Sequence, residues 1–304
     1  MKGHVLHIHN KLLLSICINL FSYCLLIGQS VELQIVTKQI HKKINFEEGQ
    51  ILLVEGEKSD VKIMTWEKDY ISIDLELKAQ HPEKAVAKAD LEKFIYSFIT
   101  TKDSILIRNK ITAKEETLRS GLQAHYVISI PTNCKLKLNN YFGSAELTDL
   151  PQGVDINSEF CNLKLNNILG KIDVQTYFGD LIGVMINGKV NIKANRSNVT
   201  LSEIEGDFNI DAYMGVVKVF ANESLLNMKI NAIKSDVFFY DTHLSGYNFD
   251  LTSKSGNVEL PADLEAQYSK ENEVRSFLIK PEGEFIGVKV AINVVSGDIM
   301  LGSR

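Results

Sequence analysis

KLKLNNYFGSAEL, residues 135–147, begins a passage that repeats itself. VDINSEFCNLKL (Val154–Leu165), KIDVQTYFGDLIG (Lys171–Gly183), KVNIKANRSNVTL (Lys189–Leu201) and DFNIDAYMGVVKV (Asp207–Val219) follow in one register, 18 residues apart and without an indel. Leu136, Val154, Ile172, Val190 and Phe208 form one apolar column. Leu138, Ile156, Val174, Ile192 and Ile210 form a second, and Ala145, Leu163, Leu181, Val199 and Val217 a third. A period of this length means a repeat architecture. Within a copy the apolar residues alternate, and alternation of Val, Ile and Leu describes strands. Two short strands bury little alone, but stacking the copies at the strand spacing of about 4.8 Å fuses the columns into one core. The pattern predicts an all-β fold, a parallel β-solenoid with one 18-residue rung per copy. A hexapeptide coil would want an aliphatic residue every six positions, and Ser144, Asn162, Asp180 and Asn198 stand there instead.

Outward from this passage the pattern loosens but persists. NMKINAIKSDVFF (Asn227–Phe239) and YNFDLTSKSGNVEL (Tyr247–Leu260) read as two further rungs. Regular rungs are expected over 126–264, an inserted loop or hairpin over 265–285 where charges, Pro281 and Gly283 interrupt, and a closing rung over 286–304. The first rungs, 31–125, are less regular. Within them Ala87, Leu91, Phe94, Ile95 and Phe98 fall at helical spacing behind Pro82, which predicts one α-helix over about 82–98, laid on the first rungs or capping their open edge.

The chain has 304 residues, 45% of them hydrophobic, so it can bury a large core. Lys2 and Lys11 precede the uncharged apolar run Leu12–Gly28, and Gly28 and Ser30 offer small residues for cleavage before Val31. This predicts a signal peptide over 1–30 and export to the periplasm or cell surface; the other reading is a short retained anchor. Tyr23 is too bulky to precede a lipid-modified Cys24. Loss of the two lysines in that segment takes the net charge from −5 to −7, which argues against nucleic acid and anionic membrane surfaces as partners.

The corners between strands carry their own columns. One reads Gly143, Cys161, Gly179, Ser197, Gly215, Ser235, Gly256 and Gly297, and the next Ser144, Asn162, Asp180, Asn198, Val216, Asp236, Asn257 and Asp298. A small residue followed by Asn or Asp is turn chemistry, with Gly admitting positive φ and Asx bonding its own backbone. Cys161 reads as a small filler in this column, half a rung from Cys134, so both thiols are expected to be free.

No constellation of catalytic residues stands out. His41, His81, His125 and His243 are scattered, which supports no metal site and no cofactor, and no nucleophile or nucleotide motif occurs. Asp155, Asp173, Asn191 and Asn209 form an outward column that could serve acid–base or calcium chemistry, or simply a solvated strand face. The tyrosines offer more. Their column reads Tyr141, Glu159, Tyr177, Asn195, Tyr213, beside Phe142, Phe160, Phe178, Arg196, Met214. The second column, mostly apolar, is expected to point inward, which turns Tyr141, Tyr177 and Tyr213 outward as candidate ligand-binding residues. Exposed tyrosines suit sugars or protein partners, though they could also just cover the corner.

EGEKSDVKIMTW (Glu55–Trp66), SKSGNVELP (Ser253–Pro261) and VVSGDIMLG (Val294–Gly302) resemble the bacterial "putative adhesin" domain family, exported β-solenoids of largely unassigned function. The resemblance implies adhesion and supplies no binding residues. The chain is thus expected to be a non-enzymatic exported binding or scaffold module of the cell envelope, with a glycan or an envelope protein as partner. The alternatives are a carbohydrate-active enzyme using the outward carboxylates and a self-assembling envelope element.

Overall fold

A computed structural model of the chain describes residues 32–112, 117–281 and 287–303; the signal segment expected over 1–30 lies outside them. The described residues are all-β with one α-helix, their strands joined in one large sheet that mixes parallel and antiparallel pairs. The first third runs β1 (Gln34–Asn45), β2 (Ile51–Glu57), β3 (Ser59–Trp66), β4 (Tyr70–His81), α1 (Lys84–Leu91), β5 (Phe94–Thr100), β6 (Ser104–Ile111) and β7 (Gly121–Pro131). Then come four long strands that bend at corners: β8 (Lys135–Leu150), β9 (Val154–Tyr177), β10 (Leu181–Asn195) and β11 (Val199–Tyr213). The last part holds β12 (Val216–Phe220), β13 (Leu225–Ile233), β14 (Asp236–Tyr240), β15 (Tyr247–Lys254), β16 (Val258–Glu259), β17 (Gln267–Glu271), β18 (Val274–Ile279), β19 (Val288–Val295) and β20 (Ile299–Gly302).

The 18-residue register is present in the pairing. Leu138 lies beside Ile156, Val174 beside Ile192, and Ile192 beside Ile210, all in parallel. Ile210 then pairs with Ile230 across a 20-residue step, and Ile230 with Ile292. Every member of this column is buried, as are the Ala145–Leu163–Leu181–Val199–Val217 residues on the neighbouring limb. Full burial of one such aliphatic side chain is worth about 1.5–3 kcal/mol, so the columns dominate the stability of the stack.

Both ends depart from the uniformly parallel order expected. β1 pairs antiparallel with β4, β4 with β7, and β5 with β6. β2 sits between β6 and β8, and β3 between β7 and β8. The stretch expected to close the array does not close it. β19 lies between β13 and β15, and β20 between β14 and β16, so the chain's last rung is interior and the earlier Tyr247–Glu259 rung is outermost. Within the insertion expected over 265–285, β17 and β18 form an antiparallel hairpin, and β18 pairs antiparallel with the otherwise open side of β15.

The helix is shorter than expected. α1 ends at Leu91 and rests Val86, Ala87 and Leu91 against β1 and β4, while Phe94–Thr100 is strand β5. FIYSFIT is rich in aromatic and β-branched residues, and pairing with β6 gives it a ladder that a helix there would forgo. Asp90 ties the end of α1 to the segment that leads into β7. Its carboxylate accepts the backbone N–H groups of Arg119 and Ser120, at 3.0 Å each, and the Lys93 ammonium at 2.8 Å.

Candidate functional site

The corner that carries the tyrosines is built by one backbone device repeated on every rung. Lys58, Phe142, Phe160, Phe178, Arg196, Met214, Lys234, Ser255 and Ser296 all have φ between 50° and 59°. A left-handed residue turns the strand while its N–H stays in the ladder: Phe178 donates to Asn195, Arg196 to Tyr213, and Met214 to Ile233. The positive φ therefore belongs to the residue before each corner glycine, not to the glycine. What Gly143, Gly179 and Gly215 supply is close approach. A Cβ at Gly179 would lie 1.9 Å from the Cys161 carbonyl oxygen, and one at Gly215 would lie 2.1 Å from that of Ser197.

The Asx column likewise does something other than expected. Its side chains reach the next rung, not their own backbone. Asn162 Oδ1 accepts the Asp180 N–H at 3.1 Å, Asp180 the Asn198 N–H at 3.1 Å, and Asn198 the Val216 N–H at 3.0 Å. Asp236 accepts from Asp298, and Asp298 from Asn257, in the same way.

The left-handed residue also breaks the in–out alternation, and this decides the aromatic surface. Tyr141, Tyr177 and Tyr213 point outward, with exposures of 37%, 40% and 37%. Phe142, Phe160 and Phe178, expected inside, are exposed too, at 51%, 43% and 41%. Their rings stack in a column, 5.0 Å between Phe142 and Phe160 and 4.7 Å between Phe160 and Phe178, and the Arg196 guanidinium lies 5.2 Å from the Phe178 ring centre. One corner thus presents a phenylalanine stack flanked by a tyrosine row. Beside Phe142 the surface dips on both sides, toward Glu55, Glu57, Arg108 and Lys110 and toward Lys58, Lys78 and Gln123.

The carboxylate column is paired. Lys137 holds Asp155 at 2.9 Å and Lys171 holds Asp173 at 2.8 Å, with Asn191 Nδ2 donating to Asp173 at 2.8 Å. The Lys171 ammonium keeps the Asp173 carboxyl below its ordinary range, so it is a charged, lysine-neutralised group. Among the described residues no cluster of three His, Cys, Asp or Glu side chains is arranged to hold a metal ion. Cys134 and Cys161 are free and buried, and burial pushes both thiols up to about 11. Among the described residues no helix is long and apolar enough to cross a membrane.

No protein-family model and no curated protein matches the chain. Solved structures do. A "putative adhesin" from Parabacteroides distasonis ATCC 8503 matches at 12% identity and a TM-score of 0.45, over 87% of this chain and 97% of that one. A "putative adhesin" from Bacteroides fragilis NCTC 9343 matches at 12% identity and 0.43, over 87% and 97%. A "putative lipid binding protein" from Parabacteroides distasonis ATCC 8503 matches at 12% identity and 0.43, over 88% and 96%. The chain resembles the adhesins.

Proposed function

We propose that the chain is an exported, non-enzymatic binding module of the bacterial cell envelope, adhesin-like in kind, that takes its ligand along the aromatic corner. In this reading the 18-residue rungs coil as a solenoid, and the solenoid is a rigid rod that holds the corner residues in a straight row.

The observation that carries it is the exposure of Phe142, Phe160 and Phe178. Left-handed backbone favours Gly or Asn and costs a bulky residue on the order of 1 kcal/mol, and water disfavours an exposed phenyl ring. Neither backbone geometry nor core packing accounts for phenylalanine on three successive rungs. Mutual stacking offsets part of the cost. A contiguous exposed aromatic surface that folding does not require suits contact with a partner. The lysine-paired state of Asp155 and Asp173 favours binding over carbohydrate cleavage for the neighbouring face.

The test is a binding screen of the protein against glycans and envelope proteins, repeated with Tyr141, Tyr177 and Tyr213 all changed to Ser. Loss of every hit in a variant with unchanged circular dichroism and melting temperature is expected. Undiminished affinity in that folded variant rejects the tyrosine row as the site.

A further inference from the structure

The tyrosine row alternates with polar residues. In spatial order the corner row runs Glu57, Tyr141, Glu159, Tyr177, Asn195, Tyr213, since Glu57 pairs with Tyr141, Tyr141 with Glu159, and Asn195 with both Tyr177 and Tyr213. Successive tyrosines are thus two rungs apart, about 9.6 Å at the ordinary strand spacing. On the strand side of this row, two residues before each member, stand Asn139, Asn157, Gln175, Lys193 and Asp211, which also face outward. Asn139, Asn157 and Gln175 make no side-chain hydrogen bond to another described residue, so their amides have donors and acceptors to offer a ligand.

Resting on the binding role proposed for this corner, the geometry points to an extended 1,4-linked glycan as its ligand, lying along the stack and crossing successive rungs. Such a chain advances by close to one strand spacing per sugar, and in a two-fold ribbon it presents the same ring face only at every second sugar. A row that places one aromatic ring at every second rung, with Glu159 and Asn195 between, matches that repeat in both length and chemistry. The rings take the C–H faces of alternate sugars. The intervening Glu and Asn, with the amide row beside them, reach the hydroxyl groups at the sugar edges. An α-helical peptide would repeat at about 5.4 Å per turn and gain nothing from a two-rung alternation. An added β-strand needs an open sheet edge, whereas the rungs bearing these tyrosines are paired on both sides.

The experiment is titration of the protein, by calorimetry, with β-1,4-linked glucose and N-acetylglucosamine oligomers of increasing even length. Affinity is expected to rise stepwise from disaccharide to tetrasaccharide to hexasaccharide as each pair of sugars meets another tyrosine. Tyr177→Ser should weaken hexasaccharide binding by roughly three- to tenfold, the range for one aromatic contact, while Tyr177→Phe, which keeps the ring, retains most of it. Tyr268→Ser, in the distant hairpin, should change nothing. Affinity independent of length beyond the disaccharide, or equal loss in Tyr177→Ser and Tyr268→Ser, overturns the axial placement. No oligosaccharide binding, with an envelope protein bound in a tyrosine-dependent way, overturns the glycan and leaves the binding corner standing. Absence of both overturns the two together.

Discussion

Ser197 Oγ accepts the backbone N–H of Gly179, one rung away, at 3.2 Å, and donates to the carbonyl of Asn195 in its own rung at 3.0 Å. Ser235 stands in the same relation to Gly215 and to Ile233, at 3.1 and 3.0 Å. In space the corner column alternates from one end as Ser59, Gly143, Cys161, Gly179, Ser197, Gly215, Ser235 and Gly297, and then ends on a second glycine, Gly256, beside Gly297. A side chain on one rung is accommodated because the next rung has none. The two-rung period of the aromatic–aromatic–glycine step is thus partly a packing rule. Glycine alternates because the corner needs it to, and the tyrosine two residues earlier alternates with it.

Filling one of these glycines should be costly in proportion to the approach. Gly179→Ala puts a Cβ 1.9 Å from the Cys161 carbonyl, against backbone that cannot swing away. A loss of about 1–3 kcal/mol is expected, read as a lower urea midpoint with unchanged slope. Gly246→Ala is the control: nothing lies within 4 Å of its Cβ, and it should stay within about 0.5 kcal/mol of the parent.

The Asx ladder is interrupted at Val216, and the interruption predicts changes of opposite sign. Asn198→Ala removes the acceptor of the Val216 N–H and should cost about 1 kcal/mol. Val216 itself offers no acceptor to the following rung, where Asp236 is its register partner. Val216→Asn continues the ladder and should raise stability by about 0.5–1 kcal/mol, visible as a higher melting temperature.

Asp90 makes stability pH-dependent at the acid end. Burial pushes its carboxyl up, but the hydrogen bonds from Lys93, Ser120 and Arg119 together outweigh burial and bring it from 3.8 down to about 2. A carboxyl depressed in the folded state contributes stability that is complete above its unfolded value and lost as pH falls through the folded one. The contribution, on the order of 2 kcal/mol, should therefore disappear between about pH 4 and pH 2. In Asp90→Asn, denaturation at neutral pH should come earlier and that part of the acid slope should be missing. An unchanged slope would show that Asp90 does not set it.

Phe142 separates stability from binding. Phe142→Asn gives up one stacking contact, worth about 0.5–1.5 kcal/mol, and relieves a left-handed phenylalanine by a similar amount. The melting temperature should hardly move, while affinity for any ligand of the corner falls. A large loss of stability would mean that Phe142 is there to hold the fold.

How much of this was legible in the sequence follows from what the pleat transmits. The 18-residue register, the apolar columns, the corner positions and the outward tyrosines could all be read from residues 134–217, because side-chain alternation is a local property of a strand and stacking copies it from rung to rung. The reading failed for Phe142, Phe160 and Phe178 at the one backbone step that is not pleated. A residue in the left-handed region turns the chain, so two consecutive side chains face water, and nothing in the letters F-G marks the phenylalanine as the left-handed one. The helix misreading at Phe94–Phe98 has a related cause: Phe94 and Phe98 fit both the helical and the alternating period, and only the presence of β6 alongside selects the strand.

The order of the rungs was decided by tertiary structure alone. The alternating pattern of Val288–Leu301 fits any neighbour with the same columns, and backbone hydrogen bonds do not distinguish one partner strand from another. That β19 inserts between β13 and β15, and β2 between β6 and β8, is a choice among equivalent ladders. It is settled by which edges must be covered, here by the antiparallel β5 at one end and the β17–β18 hairpin at the other. The sequence by itself determined the 18-residue register and its outward row of Tyr141, Tyr177 and Tyr213. Only the folded chain determined which rungs are neighbours, and that the same corner also bears a phenylalanine stack.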